Sequence, residues 1–375
     1  MKVLINLATL KKGGGQNVGL NFLKGLRDFY PPNDHNFHLI IPEKSELTKY
    51  VIENTNFNYT ICPNNPLKRI LFEISNGYKL VNQYKIDIIY TIFGIGLYPK
   101  GIPQVSGSAD SNIFFPEIDF WAGDSGITKL KRILVDKYRV NALKRASAVI
   151  FENEAMMIRS KRLFKLRHTV FIKPSIDFQF KKDNLNLNAI ESSKKGLFFC
   201  GWQKNKNYEI IPLLAQEIKK RKIDFQFFIT APNDYSKEHK KFEENLERLG
   251  VKDMVYIIGQ VKKNEIASLY DQIDFVFLLS KLESFSNNII ESWYFKRPLV
   301  LADEEWSRSI CKDAAKYVDR NDVKMIVDSV ESLLLKSKDY ARLTESGTKE
   351  LSMYPSIIEK TKQELNFVKK IYEAH

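Results

Sequence analysis

The chain has 375 residues, of which 44% are hydrophobic and 12% aromatic, and its 58 Lys/Arg against 45 Asp/Glu give a formal net charge of +13. That length exceeds a single core and predicts two domains, and the apolar content is ample for both. No run approaches the ~20 apolar residues that span a bilayer, and the cysteines Cys62, Cys200 and Cys311 lack the spacing of a disulfide framework or a histidine neighbour in metal-ligand register, so they read as reduced structural thiols of a cytoplasmic protein.

In chain order, Lys2–Ala8 reads as a first strand. The alternative, a secretory signal, fails because the apolar stretch is short, has no small-residue cleavage site and runs into KKGGGQN. The loop Lys11–Gly15 follows, then an amphipathic helix carrying Val18, Phe22, Leu26 and Phe29 on one face. Successive glycines at Gly13, Gly14 and Gly15 remove every Cβ and let backbone N–H groups close on a ligand, although the loop matches neither the P-loop nor the GxGxxG pattern. Phe37–Ile41, Ile86–Ile92 and Ala148–Glu152 read as further strands with helical stretches between them, the alternation of a doubly wound parallel sheet.

Charge is uneven. Residues 1–180 hold 25 Lys/Arg against 15 Asp/Glu, and the remainder 33 against 30. The basicity is densest in KLKRILVDKYRVNALKR, Lys129–Arg145, where apolar residues interleave with cations. Such a helix either packs its apolar stripe inward and shows its cations to solvent, or is drawn to anionic lipid headgroups or an acidic lipid-linked substrate. No nucleic acid is expected as a partner, because no helix-turn-helix, zinc-finger, KH or RNP-like sequence is present.

The polar stretch Lys181–Lys195 is the best linker candidate, although its few apolar residues could let it pack. Beyond it, Gly196–Cys200, Phe225–Thr230 and Val255–Ile258 read as strands. Helices are expected through Ile210–Ile218, Phe242–Leu249 and Ile266–Tyr270. The final segment, Ile357–Tyr372, is amphipathic and long enough to cross back onto the first domain. Boundaries follow at 1–180, 181–355 and 356–375.

The stretch Asp274–Leu301 is the most informative. Phe275–Leu279 is a continuous apolar run, as expected of a strand buried on both faces. A loop follows, then Ser286 or Asn287 as N-cap of an apolar helix that Pro298 closes, then a buried strand at Leu299–Leu301. In an open α/β sheet ligands bind beyond the carboxyl ends of strands, where free N–H groups at a helix start hold phosphates. Glu283 in the loop and Glu291 one turn into the helix bracket that helix start, placed to meet a polyol.

Glycines after the first strand, Gly201 with Lys206 and Asn207 after the first strand of the second half, and ESFSNNIIE at Glu283–Glu291 together resemble the GT-B glycosyltransferases, specifically the retaining family 4 group with its E-x7-E motif. SAVIFENE at Ser147–Glu154, KPSID at Lys173–Asp177 and YIIGQV at Tyr256–Val261 extend the resemblance over nearly the whole chain. It implies an α/β GT-B fold, two Rossmann-like doubly wound parallel-sheet domains facing a cleft, with an acceptor-side first domain and a donor-side second. Glu283 matches the glutamate that orients the donor sugar, and Glu291 the one that holds the ribose hydroxyls. Ser286, Asn287 and Asn288 surround the donor phosphates, with the asparagine amides donating to them. Lys206 matches the lysine that neutralises the departing diphosphate, a role in which fixed cations replace a metal. Gly13, Gly14 and Gly15 close on the diphosphate or admit the acceptor, and backbone around Gly259 and Gln260 faces the base.

The sequence departs from the family twice. Trp202 stands where an arginine usually follows Gly201, leaving Lys204 as its substitute, though an ammonium is not a guanidinium fork. Ser108, Ala109 and Asp110 stand where many members carry a histidine before an aspartate, so Asp110 or Glu117 is left to face the acceptor, unless Asp110 merely caps a turn. The resemblance implies a metal-independent hexosyltransferase using a UDP- or GDP-sugar as substrate, with no cofactor. Its acceptor is a lipid-linked precursor or oligosaccharide of a bacterial surface polysaccharide such as O-antigen or capsule, and the enzyme works in the cytoplasm or peripherally on the inner membrane. Two alternatives are a GT-B nucleotide-sugar isomerase or hydrolase, and a non-catalytic membrane- or polyanion-binding protein.

Overall fold

A computed structural model describes the chain except at residues 31–35, 95, 97, 98, 100, 122–124, 178, 179, 181, 182, 184, 186, 188–192 and 336. Two compact units emerge: Met1–Glu117 with Gly123–Asp177 and Tyr354–His375, and Ile118–Ala122 with Phe178–Met353.

In the first unit the chain runs β1 (Val3–Asn6), α1 (Gly13–Phe29), β2 (Phe37–Pro42), α2 (Glu46–Asn54), β3 (Asn58–Cys62), α3 (Pro66–Tyr84), β4 (Ile88–Thr91), β5 (Gln104–Ser108), α4 (Gly126–Arg145), β6 (Ala148–Phe151), α5 (Glu154–Phe164) and β7 (Thr169–Phe171). The strands are parallel in the order β3-β2-β1-β4-β5-β6-β7. The second unit holds β8 (Lys194–Phe198), α6 (Ile211–Lys220), β9 (Phe225–Ile229), α7 (Lys237–Arg248), β10 (Val255–Ile257), α8 (Ile266–Asp271), β11 (Phe275–Leu278), α9 (Asn287–Tyr294), β12 (Leu299–Ala302), α10 (Glu305–Cys311), β13 (Lys316–Val318), α11 (Val323–Leu335) and α12 (Ser337–Leu351). Its parallel order is β10-β9-β8-β11-β12-β13. Both sheets reverse direction at one interior point, between β1 and β4 and between β8 and β11, which is where doubly wound folds bind ligands.

Right-handed crossovers need helices on both sheet faces, so the central strands are buried on both faces. Every residue of β9 and β11 is buried. Phe198 stacks on Phe277 at 4.8 Å with 5° between the rings, and Phe225 and Phe227 pack beside them. Gly196 makes this cluster fit, because a Cβ there would lie 2.5 Å from the Phe277 ring and 2.7 Å from that of Phe225.

The last helix, α13 (Ile357–Glu373), opens with a capping box between Ser356 and Glu359 and packs on α1 in the first unit. Its approach depends on Gly25, where a Cβ would stand 2.2 Å from Thr361 Oγ1 and 2.9 Å from the Ile357 carbonyl. Gly25→Val is therefore expected to push α13 off α1 and cost about 1–3 kcal/mol by overpacking, read as a lowered denaturation midpoint. Beside it, Lys360 Nζ contacts Glu152 at 2.6 Å and Glu364 at 3.0 Å in a buried cluster. Burial alone would lower the Lys360 pKa, but the two carboxylates outweigh it and hold the ammonium charged. Burial raises the Glu364 carboxyl, with Lys360 opposing.

Two sequence expectations change, and the alternative left open for the linker is the one its described part follows. Gly13, Gly14 and Gly15 do not form a loop but the first turn of α1, entered through Gly13 at φ +64°, a left-handed conformation suited to glycine. Most of the proposed linker Lys181–Lys195 lies outside the described residues, yet its described part packs: Leu185 N–H donates to Ser268 Oγ and Leu187 N–H to Gln272 Oε1, each at 3.1 Å. The inward-facing apolar stripe of the basic helix is overturned, because α4 buries only Ala142 and Leu143. Its inward contacts are polar: Asp136 accepts from Asn112 at 2.8 Å, and Arg139 pairs with Asp136 at 3.0 Å and Asp110 at 3.4 Å.

Candidate active site

The second unit's switch point gathers the principal candidates. Beyond β8 the chain makes a tight turn over Lys204–Lys206, and beyond the adjacent β11 it enters the loop carrying Glu283. Lys206 Nζ donates to Glu283 Oε1 at 2.6 Å, with the two side chains 21% and 13% exposed. The charges are thus close-paired yet open to a ligand.

Neighbouring contacts fix the two loops. Lys281 N–H donates to the Asn205 carbonyl at 2.7 Å, and the fully buried Trp306 donates Nε1–H to the Lys281 carbonyl at 3.2 Å. Asn207 is left-handed at φ +58°, a conformation asparagine tolerates well, and its Nδ2 donates to the Arg320 carbonyl at 2.8 Å. The Arg320 guanidinium bonds Glu304, which anchors the capping box of α10. Asn207, Glu304, Trp306 and Arg320 thus position the pair, and of these only Asn207 belongs to the pattern recognised in the sequence.

The N-terminus of α9 opens beside Glu283. Ser286 occupies the N-cap position but its side chain makes no capping bond, and although the Ile289 N–H donates to the Ser286 carbonyl at 3.1 Å, the amides of exposed Asn287 and of Asn288 are left for another acceptor. The Asn288 side chain is committed elsewhere, donating to the Phe199 carbonyl at 3.1 Å and tying α9 to the end of β8.

One turn on, Glu291 Oε2 accepts from the hydroxyl of the fully buried Tyr270 at 3.2 Å. Burial pushes the Glu291 carboxyl up to about 7, against the Tyr270 bond, which favours the carboxylate. A ligand diol that donates to this carboxylate needs it ionised. Diphosphate-nucleoside affinity is therefore expected to rise as pH increases through about 7 and to lose that inflection in Glu291→Gln, measured by calorimetric titration across pH.

The remaining candidates are placed as follows. Lys204 is exposed in the same turn as Lys206. A Cβ on Gly201 would meet the Gln203 side chain at 2.9 Å. Trp202 turns into the packing, stacked 5.3 Å from His239 and donating Nε1–H to the Pro232 carbonyl at 2.8 Å. Gly259 sits past β10 at φ +78° with open space around its Cα, followed by the exposed Gln260. In the first unit, Gly13 and Gly14 face open space past the carboxyl end of β1. Asp110 lies past β5, and instead of capping the following turn with its side chain it pairs with Arg139, while burial raises its carboxyl and Arg139 opposes. Glu117 pairs with Arg159 at 2.5 Å. Among the described residues no group of three or more His, Cys, Asp or Glu is arranged to hold a metal ion, and all three cysteines are free and buried.

These features define a GT-B fold, two parallel-sheet Rossmann-like units, and solved structures share it across the whole chain. Residues 181–350 match the sequence model of glycosyl transferases group 1. Sucrose-phosphate synthase from Thermosynechococcus elongatus superposes with a TM-score of 0.78 at 13% identity, covering 100% of both chains. HepE of Anabaena, solved with UDP-glucose, gives 0.71 at 16% identity over 99% of this chain and 100% of its own. WaaG, a glycosyltransferase involved in lipopolysaccharide biosynthesis, gives 0.68 at 12% over 98% and 99%. No curated protein sequence matches significantly. Among the described residues no helix is long and apolar enough to cross a membrane.

Proposed function

We propose that this chain is a retaining glycosyltransferase of the family 4 type, moving a hexose from a nucleoside diphosphate sugar to an acceptor hydroxyl. The observation that carries the reading is the Lys206–Glu283 pair at the carboxyl ends of adjacent strands, beside the uncapped start of α9. The glycosyl transferases group 1 match over residues 181–350 and the crystallised complexes of HepE with UDP and UDP-glucose support the donor class.

In this reading the amides of Asn287 and Asn288 hold the phosphates and Glu291 takes the ribose hydroxyls. Backbone at Gly259 and Gln260 faces the base. Lys206 turns from Glu283 to the diphosphate and offsets the charge that builds as it leaves, without a metal. Glu283 is then free to orient the sugar. The bond between the anomeric carbon and the phosphate oxygen breaks, the acceptor oxygen bonds on the same face, and its proton passes to the departing phosphate. Gly13, Gly14, Gly15 and Asp110 mark the strand ends where the first unit is proposed to take the acceptor, a lipid-linked or oligosaccharide precursor of a surface polysaccharide. Incubation with a panel of UDP- and GDP-sugars should release nucleotide with one donor and an acceptor. Release without any acceptor would replace transfer by hydrolysis, and failure to bind every donor would overturn the reading.

A further inference from the structure

Tyr270 is fully buried, and a buried tyrosine hydroxyl needs a hydrogen-bond partner. Its partner is a side-chain carboxylate, because the hydroxyl donates to Glu291 Oε2 at 3.2 Å. Burying a carboxylate for packing alone is costly, and a purely structural pair would satisfy both of its oxygens. Here only one is satisfied. Glu291 is half-buried, and its Oε1 has no bonding partner among the described residues.

The tyrosine is itself locked in place. Its ring stacks on Phe295 with centroids 5.0 Å apart and 21° between the planes, and Phe180 packs on Phe295 at 5.0 Å. Arg297 donates Nε–H to the Tyr270 carbonyl at 2.9 Å and Nη2–H to that of Asp271 at 3.3 Å, closing the end of α8. Phe295 and Arg297 directly follow α9, so the end of that helix fixes the tyrosine that in turn holds Glu291 within it.

We propose that Tyr270 is a positioning residue for the donor nucleotide, its hydroxyl fixing the Glu291 carboxylate through Oε2 and leaving Oε1 to receive the ribose diol. The inference deepens the proposed function and rests on the reading that Glu291 meets the ribose. The same bond favours the ionised carboxylate, against the burial that pushes it up to about 7. Charged groups on the surrounding elements do not set this balance, whose causes are burial and the Tyr270 bond. Beside α9, β11 carries no titratable residue, α8 ends in Asp271, and Arg297 faces the two carbonyls it bonds. Packed on the same helix, α12 sets Gly347 against Trp293 and pairs its Glu350 with Lys312. Tyr270→Phe removes the bond and keeps the stacked ring. The Glu291 carboxyl then rises further, and the pH at which it can accept from a diol rises with it.

The test is calorimetric titration of the full chain with UDP, GDP and their 2′,3′-dideoxy forms across pH. The dideoxy forms carry the same diphosphate and cancel its own titration. In the parent, the ribonucleotide should bind more tightly than its dideoxy form, and that advantage should grow as pH rises through about 7. Tyr270→Phe should move the growth to higher pH and cut the advantage at pH 7 about fivefold, as a tenfold change in the carboxyl's ionisation constant gives. Its dideoxy binding should stay unchanged, which reports an intact site. In a Glu291→Gln background, Tyr270→Phe should change nothing further. A Tyr270→Phe protein whose ribose advantage and pH dependence match the parent's would overturn the proposal and leave the ribose reading standing. Equal losses for ribose and dideoxy forms would mark a packing role and overturn it too. A parent that binds both forms equally at every pH, or neither, would overturn the ribose reading and this proposal with it.

Discussion

Lys206→Ala is expected to lower kcat by about 10²–10³, the loss typical of removing a preorganised group that stabilises developing charge. The Nζ lies 2.6 Å from Glu283 Oε1, so the variant also leaves a largely buried carboxylate without its partner and should weaken diphosphate binding less than it slows turnover. Glu283→Ala is expected to lose a similar factor. Because the two act as one unit, the double variant should fall well short of the product of the single losses. Steady-state kinetics on the three variants reads all of this directly. Independent, multiplying effects would show that the residues do not share a task.

The largest stability effect is expected at Lys360. Lys360→Ala leaves Glu152 and Glu364 facing each other in a site where Lys360 and Glu364 are 4% and 3% exposed. Tyr90, fully buried, bonds the same Glu364. Stranding buried carboxylates in this way costs about 3–5 kcal/mol. Chemical denaturation should show an earlier transition for the first unit, whose α13 is the element released. Replacing Glu152, Lys360 and Glu364 together with Leu, Met and Leu should restore much of the loss, since well-packed apolar side chains substitute for a buried ionic cluster. A midpoint unchanged in Lys360→Ala would contradict the buried cluster.

Elements were legible where the backbone is buried on both faces. Phe275–Leu279 and Phe225–Thr230 announce themselves as strands because a central parallel strand leaves no polar face. The strands β3, β5, β7 and β13 were not foreseen. Three of the five residues of β3 are exposed at the sheet edge, so its apolar pattern is broken. The sequence of β5, QVSGS, is polar because Gly107 lies so close to β4 that a Cβ would stand 1.8 Å from the Ile92 carbonyl oxygen. Central position there demands smallness, and composition alone suggests a loop.

The site shows the same division. Glu283, Glu291 and Lys206 stand out because each follows a strand at a fixed offset. Tyr270 and Arg320 do not, because their roles arise from contacts across 21 and 113 residues. The outward apolar stripe of α4 was hidden for a related reason. Its sequence mixes cations and aliphatics evenly, and only the pairs with Asp110 and Asn112 decide which face turns to water.

The most direct test is a crystal structure of the chain with UDP or GDP bound. The diphosphate is expected on the Asn287 and Asn288 amides of α9 with Lys206 Nζ within hydrogen-bond distance of it, the ribose hydroxyls on Glu291, and the Lys206–Glu283 contact broken. A nucleotide bound away from the carboxyl ends of β8 and β11, or one that leaves Lys206 paired with Glu283, would contradict it.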